Sequence, residues 1–185
     1  MDVITAIQER RTIGQFGSAP VSREVVARLV AAAIWAPTHR NTEPWRFAVV
    51  AGAARAEMAD AVAAELAGNE GADGAARAAR DKLLRAPAFI VVGQDRSEVG
   101  DDATRDLEDY AACSCATQNL LLAAQAEGLA AKWSTGKLTT YAAAKRFVGL
   151  EETDRIVAYV YLGQSAMDSE PLAERRPAIV KWRGL

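Results

Sequence analysis

Histidine and cysteine are scarce in this sequence of 185 residues, which holds only His39, Cys113 and Cys115. A single histidine weakens any Ser-His-Asp or Cys-His scheme, and a metal site would need more ligands than these. Two positions apart on a helix, the cysteines point about 200° from each other and cannot form a disulfide together. We interpret them as small buried residues of a protein in a reducing cytoplasm.

Long apolar runs and an excess of one charge are also missing. No segment approaches the roughly 18 apolar residues that span a bilayer. Residues 1–11 are amphipathic and lack the apolar stretch of a signal peptide. With 22 Lys and Arg against 24 Asp and Glu, the net charge of -2 gives no overall attraction to nucleic acid or to a membrane. We therefore expect a cytoplasmic protein that binds neither.

Apolar periodicity and turn residues predict a single domain over residues 1–185. Helices are predicted at 2–11, 22–35, 53–67, a short segment ending at 84, 104–127, and a segment capped by Thr139 or Thr140 that ends near 148. Strands are predicted at 45–50, 88–93, 129–133 and 156–162, and a mobile loop at 68–74. The pattern indicates an α+β domain with four or five strands.

The last segment of the chain, 165–185, carries the large apolar residues Ile179, Val180 and Trp182. Such side chains are too apolar to be left loose in water, and docking on a second subunit would bury them. We therefore expect this tail to pack on the partner in a homodimer.

Two polar segments near the start carry residue types that bind ligands. Arg10, Arg11 and Thr12 end the first helix and suit a phosphate, because arginine binds phosphate bidentately and threonine donates a hydroxyl. A favourable charge at a helix C-terminus is the alternative. Residues 36–45 form a polar loop in which His39 can donate to a carbonyl or phosphate, or stack on a ring. A solvated loop is the alternative.

Two more polar segments lie far along the chain. In residues 132–136, KWSTG, the N–H groups beside the glycine can reach an acceptor on a planar ring. An ordinary turn is the alternative. Residues 175–177, RRP, offer a second cationic site, for which a solvated charge pair is the alternative.

Taken together and in this order, the segments resemble the flavin-dependent nitroreductase family, and most closely its small bacterial subgroup. The resemblance covers nearly the whole chain and rests on RRT, APTHRNTEPWRF, RAPAFIVV, the long apolar helix, GLAAKWSTG, IVAYVYLG and RRP. It implies a nitroreductase-like α+β fold, in which helices surround a mixed or antiparallel sheet. It also implies a homodimer with two FMN molecules at the subunit interface.

The resemblance assigns roles to individual residues. Arg10 and Thr12 match the residues that hold the FMN phosphate and ribityl chain, with a further contact from Arg11. Arg175, or its neighbour Arg176, matches the tail arginine that completes the phosphate site. The residues implied around the flavin ring are Trp133, Ser134, Thr135 and Gly136 from one subunit, and Pro37, Thr38, His39 and Asn41 from the other. Trp35 either lines the same pocket or packs in the core.

One position departs from the pattern of the family. Some relatives carry a lysine near the flavin pyrimidine where this chain has Gly14. A cation there stabilises the reduced flavin, which is anionic near N1. Lys82, or Arg80, is the residue that we expect to supply this charge.

The reaction implied by the resemblance is a ping-pong transfer of hydride. NADH or NADPH passes hydride to FMN and leaves, and a nitroaromatic or quinone-like acceptor then takes its place. The protein supplies orientation and electrostatics, so no side chain is assigned as catalytic. The alternative is a flavin-binding protein without turnover, serving in storage or sensing.

Overall fold

The computed structural model describes residues 1–67, 69, 71–167 and 175–184. Within these ranges the helices are α1 Val3–Glu9, α2 Arg23–Ala33, α3 Ala54–Leu66, α4 Ala72–Leu83, α5 Ala103–Ala126 and α6 Ala142–Phe147. The strands are β1 Trp45–Ala51, β2 Ala88–Gln94, β3 Ala130–Ser134 and β4 Arg155–Gly163. Short 3-10 turns occupy His39–Asn41 and Lys137–Thr139.

The strands form one antiparallel sheet in the order β1-β2-β4-β3. The central strands β2 and β4 are buried along almost their whole length, because helices cover both faces of the sheet. Burial on both faces explains why their sequences are continuous apolar runs without alternation. The predicted α+β domain with a central antiparallel sheet is confirmed, with four strands in the described residues.

Each face of the sheet has its own apolar core. On one face α2 and α5 pack against the strands, and Leu29, Leu120 and Val160 are completely buried. On the other face α3, α4 and α6 cover side chains such as Met58 and Tyr159. From Ala158 to Leu162, successive residues of β4 alternate between the two cores, as the pleat of a strand requires.

The start of α6 differs from the prediction of a threonine cap. The helix begins at Ala142, and the hydroxyls of Thr139 and Thr140 instead donate to the carbonyls of Gly136 and Lys137 at 2.8 Å. The carboxylate of Glu65 accepts hydrogen bonds from the N–H groups of Ala142 and Ala143. A side chain from α3 therefore satisfies this helix end, which local sequence does not reveal.

The loop predicted over 68–74 is wrong for its last residues. Helix α4 begins at Ala72, directly after Gly71 in the left-handed conformation, and Gly74 lies inside its first turn. Asp73 in that turn favours the helix N-terminus, and the alanines that follow outweigh the cost of one glycine. Residues 68 and 70 lie outside the described part of the chain.

The cysteines lie on different faces of α5, where Cys113 is buried and Cys115 is exposed. The expectation of two buried cysteines is therefore wrong for Cys115, because the spacing that separates them also turns one toward solvent. Burial raises the pKa of Cys113 to about 12, so this thiol stays protonated. Along the described parts of the chain, every helix is too short or too polar to cross a membrane.

Candidate functional site

Two of the polar segments, residues 10–12 and residues 132–136, meet at one edge of the sheet. Thr12 forms an isolated parallel bridge with Ala131 of β3, and the N–H of Ile13 donates to the carbonyl of Ala131 at 3.1 Å. Further along, Phe16 bridges Ser165 just after β4. The segment that follows α1 therefore runs beside β3. This position brings Arg10 and Thr12 toward the turn at 133–136.

Arg10 lies at the C-terminal end of α1 in a half-buried position. Burial lowers its pKa, and the positive charges of Arg175 and Arg11 lower it further. Arg175 is therefore close enough to act on Arg10, although 165 positions separate the two in the sequence. Among the described residues none offers Arg10 a carboxylate, so the cluster of cations is left for an anion from outside.

The side chain of Arg11 has a different function from that of Arg10. Its guanidinium donates to the carbonyl of Gln8 at 2.6 Å and to that of Arg10 at 2.9 Å. These carbonyls belong to the end of α1, where acceptors lack partners within the helix. The helix-end role that the sequence left open is the one that the Arg11 side chain fills.

The turn after β3 leaves room for a flat group. Trp133 and Ser134 are half-buried, while Thr135 and Gly136 are exposed. Gly136 has φ of 92° and ψ of -160°, a conformation that favours glycine. A Cβ at this position would have no atom within 4 Å, so the backbone here is open to close approach by a ligand.

The loop before β1 has a strained backbone. Arg40, Asn41 and Glu43 have positive φ angles of 50°, 54° and 44°. Strain of this kind costs energy, and it clusters at functional sites. The Thr38 hydroxyl is 2.9 Å from that of Thr42 and accepts the N–H of Glu43, so it holds the loop in shape.

The exposed residues of this loop are far from Arg10 within one chain. Pro37, His39 and Asn41 are exposed, and the loop leads into β1 at one edge of the sheet. Arg10 and the turn after β3 lie at the other edge, three strand spacings or about 14 Å away. A single chain therefore does not bring the two halves of the predicted site together.

Trp35 follows α2, and its side chain is 85% exposed. The alternative that it packs in the core of its own chain is wrong, because the core is closed by the buried side chain of its neighbour Ala36. Other large apolar side chains are exposed as well, among them Ile4 and Ile7 of α1 and Ile179 and Trp182 of the tail. Exposed apolar area on this scale is typical of an interaction surface.

The two cations expected near the flavin ring lie on α4. Arg80 forms an ion pair with Asp60 at 2.7 Å, so its charge already has a partner. Lys82 lines a hollow of about 490 Å³ together with Lys137 and Tyr141, next to the turn at 133–136. Of the two alternatives, only Lys82 lies beside a predicted site segment.

Lys132 is a further cation at this site. The sequence alone did not predict that its charge would act on the ligand. Its ammonium group lies 3.6 Å from the place that a Cβ of Gly14 would occupy. The signal was present in the strand pattern, since Ala131 and Trp133 pack in the core that covers one face. Alternation therefore directs the residue between them to the other face.

Known proteins match this chain along most of its length. A family model described as Nitroreductase family matches residues 7–164. YfhC of Bacillus subtilis, provisionally assigned as an NAD(P)H nitroreductase, is 30% identical over 176 residues, which cover 94% of this chain and 88% of YfhC.

Two solved structures are similar in fold and in sequence. A nitroreductase-like family protein from Bacillus cereus is 30% identical, with a TM-score of 0.81 over 96% of this chain and 92% of that one. A provisionally assigned nitroreductase from Desulfovibrio desulfuricans, solved in complex with FMN, is 29% identical, with a TM-score of 0.73 over 96% and 92% of the two chains.

Proposed function

The chain belongs to the nitroreductase family, and we propose that it is an FMN-dependent oxidoreductase that transfers hydride from NADH or NADPH to nitroaromatic or quinone-like acceptors. The observation that carries this proposal is the pair of Arg10 and Arg175 near the open turn after β3. FMN carries a phosphate at one end and a planar ring at the other, and the two features suit them in that order.

The residues present fit the cofactor. Arg10 is a half-buried cation that lacks an acidic partner among the described residues, as a phosphate ligand should be. Thr12 lies between Arg10 and β3, where its hydroxyl suits the ribityl chain. The turn of Trp133, Ser134, Thr135 and Gly136 is open at Gly136, where the backbone can come close to the edge of the ring.

A second copy of the chain would complete each site. The loop with Pro37, Thr38, His39 and Asn41 is at the wrong edge of the sheet to reach the cofactor of its own chain. In a homodimer this loop can reach the cofactor of the partner, and Trp35 beside it would be buried. The apolar tail would dock on the partner in the same assembly.

The bound FMN would supply the hydride chemistry, accepting hydride from the nicotinamide and passing it to the second substrate in a ping-pong cycle. The contribution of the chain is to anchor the phosphate through Arg10 and Arg175, and to hold the ring against the turn. It needs no acid-base side chain, which agrees with the presence of one histidine. We place the enzyme in the cytoplasm, where an exposed thiol such as Cys115 stays reduced.

The test is the visible spectrum of the purified protein, followed by anaerobic addition of NADPH or NADH. A yellow protein whose absorbance near ~450 nm bleaches supports the oxidoreductase, because bleaching reports flavin reduction. A yellow protein that neither nicotinamide bleaches supports the non-catalytic alternative. Protein that is colourless and takes up no added FMN contradicts both. Product analysis with a nitroaromatic and a quinone then identifies the acceptor.

A further inference from the structure

We propose that Lys132 is the residue that stabilises the negative charge of the reduced flavin, reaching it across the backbone of Gly14. The proposal rests on the proposed function, because it concerns the same FMN site. It differs from the sequence-based expectation, which gave this role to Lys82 or Arg80.

Lys132 lies directly beside Gly14. Lys132 is central in β3 and half-buried, paired across the sheet with the completely buried Tyr161. Its Cδ and Nζ lie 3.8 and 3.6 Å from the place where a Cβ of Gly14 would be. The lysine therefore extends over Gly14, within the segment that joins the phosphate cluster to β3.

The ammonium of Lys132 lacks a counter-charge within the described parts of the chain, where it forms no ion pair and no hydrogen bond. This cation is therefore available to an anion from outside the chain. Arg80, in contrast, forms an exposed ion pair with Asp60. A ligand that gains negative charge on reduction would provide the partner that Lys132 lacks, and a cation near N1 is a known means of tuning a flavin.

The position of Lys132 also agrees with the order of the other contacts. Arg10 precedes Gly14 by four residues, which span at most about 14 Å in extended chain. The segment 133–136, which is expected to contact the flavin ring, begins directly after Lys132 in β3. Lys132 is thus linked both to the segment after Arg10 and to the turn at 133–136, whereas Lys82 shares a hollow with Lys137, the residue after that turn.

The experiment compares four variants of the FMN-loaded protein: Lys132→Ala, Lys132→Arg, the double variant Lys132→Ala with Gly14→Lys, and Arg23→Ala as a control. Arg23 is exposed at the start of α2 and lies outside the site, so its removal changes the net charge alone. Gly14 has no left-handed φ, so its backbone accepts a lysine. The double variant places the cation on the neighbouring segment instead.

Two measurements report how well the protein stabilises negative charge on the flavin, and neither requires turnover. One is the affinity for sulfite, whose adduct places negative charge at N1 and the adjacent carbonyl. The other is the two-electron midpoint potential of the bound flavin. Lys132→Ala should bind sulfite roughly tenfold or more weakly, the usual effect of losing a charge-assisted hydrogen bond. A tenfold change corresponds to a potential lower by about 30 mV. Lys132→Arg, Arg23→Ala and the double variant should all remain close to the wild type.

Each contrary result has a distinct meaning. If the wild-type protein binds no FMN, the proposed function fails first. If FMN binds and Lys132→Ala keeps wild-type sulfite affinity and potential, the role of Lys132 is wrong, and Lys82→Ala becomes the variant to measure. If Lys132→Ala lowers both values but the double variant does not restore them, the effect is one of packing rather than charge. Should Lys132→Ala fail to fold, Lys132→Gln is measured at saturating FMN against the same two criteria.

Discussion

The hydroxyl of Thr42 donates a 2.6 Å hydrogen bond to the carboxylate of Asp109, a side chain in α5 that is almost completely buried. Arg105 lies 3.6 Å from the other oxygen of this carboxylate. The contact joins the strained loop before β1 to the long central helix. Because Arg40, Asn41 and Glu43 all have positive φ, the loop depends on such contacts to keep its shape.

Replacement of Asp109 by Ala should release this loop. The hydroxyl of Thr42 would lose its buried acceptor, so the free energy of unfolding should fall by about 1–3 kcal/mol. The measurement is a urea denaturation curve, with Asp109→Asn as the matched control that keeps an acceptor oxygen. Equal stability of Asp109→Ala and the wild type would contradict the anchoring role of this carboxylate.

Arg10 and Arg11 should respond differently to the same substitution. Arg10→Ala removes a cation without an acidic partner and should weaken FMN binding by about 1.5–3 kcal/mol, with little effect on stability. Arg11→Ala removes hydrogen bonds to the end of α1 and should lower stability by about 1 kcal/mol instead. Flavin titration and urea denaturation of both variants separate the effects. Unchanged FMN retention in Arg10→Ala would refute the phosphate assignment.

A mixed dimer tests whether each pocket draws on two chains. Subunits with Arg10→Ala and subunits with Asn41→Ala are co-expressed with different affinity tags, and the mixed species is purified. If Arg10 and the loop of the partner share a site, one of the two pockets is intact and the other carries both defects. At an FMN concentration that fills intact pockets but not impaired ones, the flavin content should then be half that of the wild type. Two impaired pockets in the mixed dimer would show that each chain builds its site alone.

Asp106 should contribute to the pH dependence of stability. Burial opposes its ionisation, but hydrogen bonds from Arg155, Arg96 and Gln94 outweigh it and hold its pKa below the usual 3.8. The charged carboxylate is therefore stabilising above pH 3.8, and this contribution disappears as the pH falls through the lower pKa of the folded state.

The variant Asp106→Asn isolates this contribution. It should be less stable than the wild type at neutral pH, and its free energy of unfolding should fall less steeply below about pH 4. Part of the acid dependence should persist, because hydrogen bonds from Ser97 also lower the pKa of Asp95. Parallel stability curves for wild type and Asp106→Asn across the acid range would contradict the prediction.

The sequence by itself determined the order of the elements and the composition of the central strands. Apolar runs long enough for a strand but too short for a membrane helix required β2 and β4 to be buried on both faces. Ser22 and the residues after it defined α2, because capping and helical periodicity act over a few neighbouring positions. Family motifs then indicated which polar segments belong to one site.

The tertiary structure alone decided which charges remain available to a ligand. Arg80, Lys82 and Lys132 are all cations in the sequence, yet in the structure Arg80 is paired with Asp60, whereas Lys132 extends past Gly14 in the segment that follows Arg10. Likewise, Arg11 closes the end of its helix while Arg10 meets Arg175 from the far end of the chain. Whether a cation is paired depends on contacts between residues distant in sequence, and these arise only when the sheet and its helices pack together.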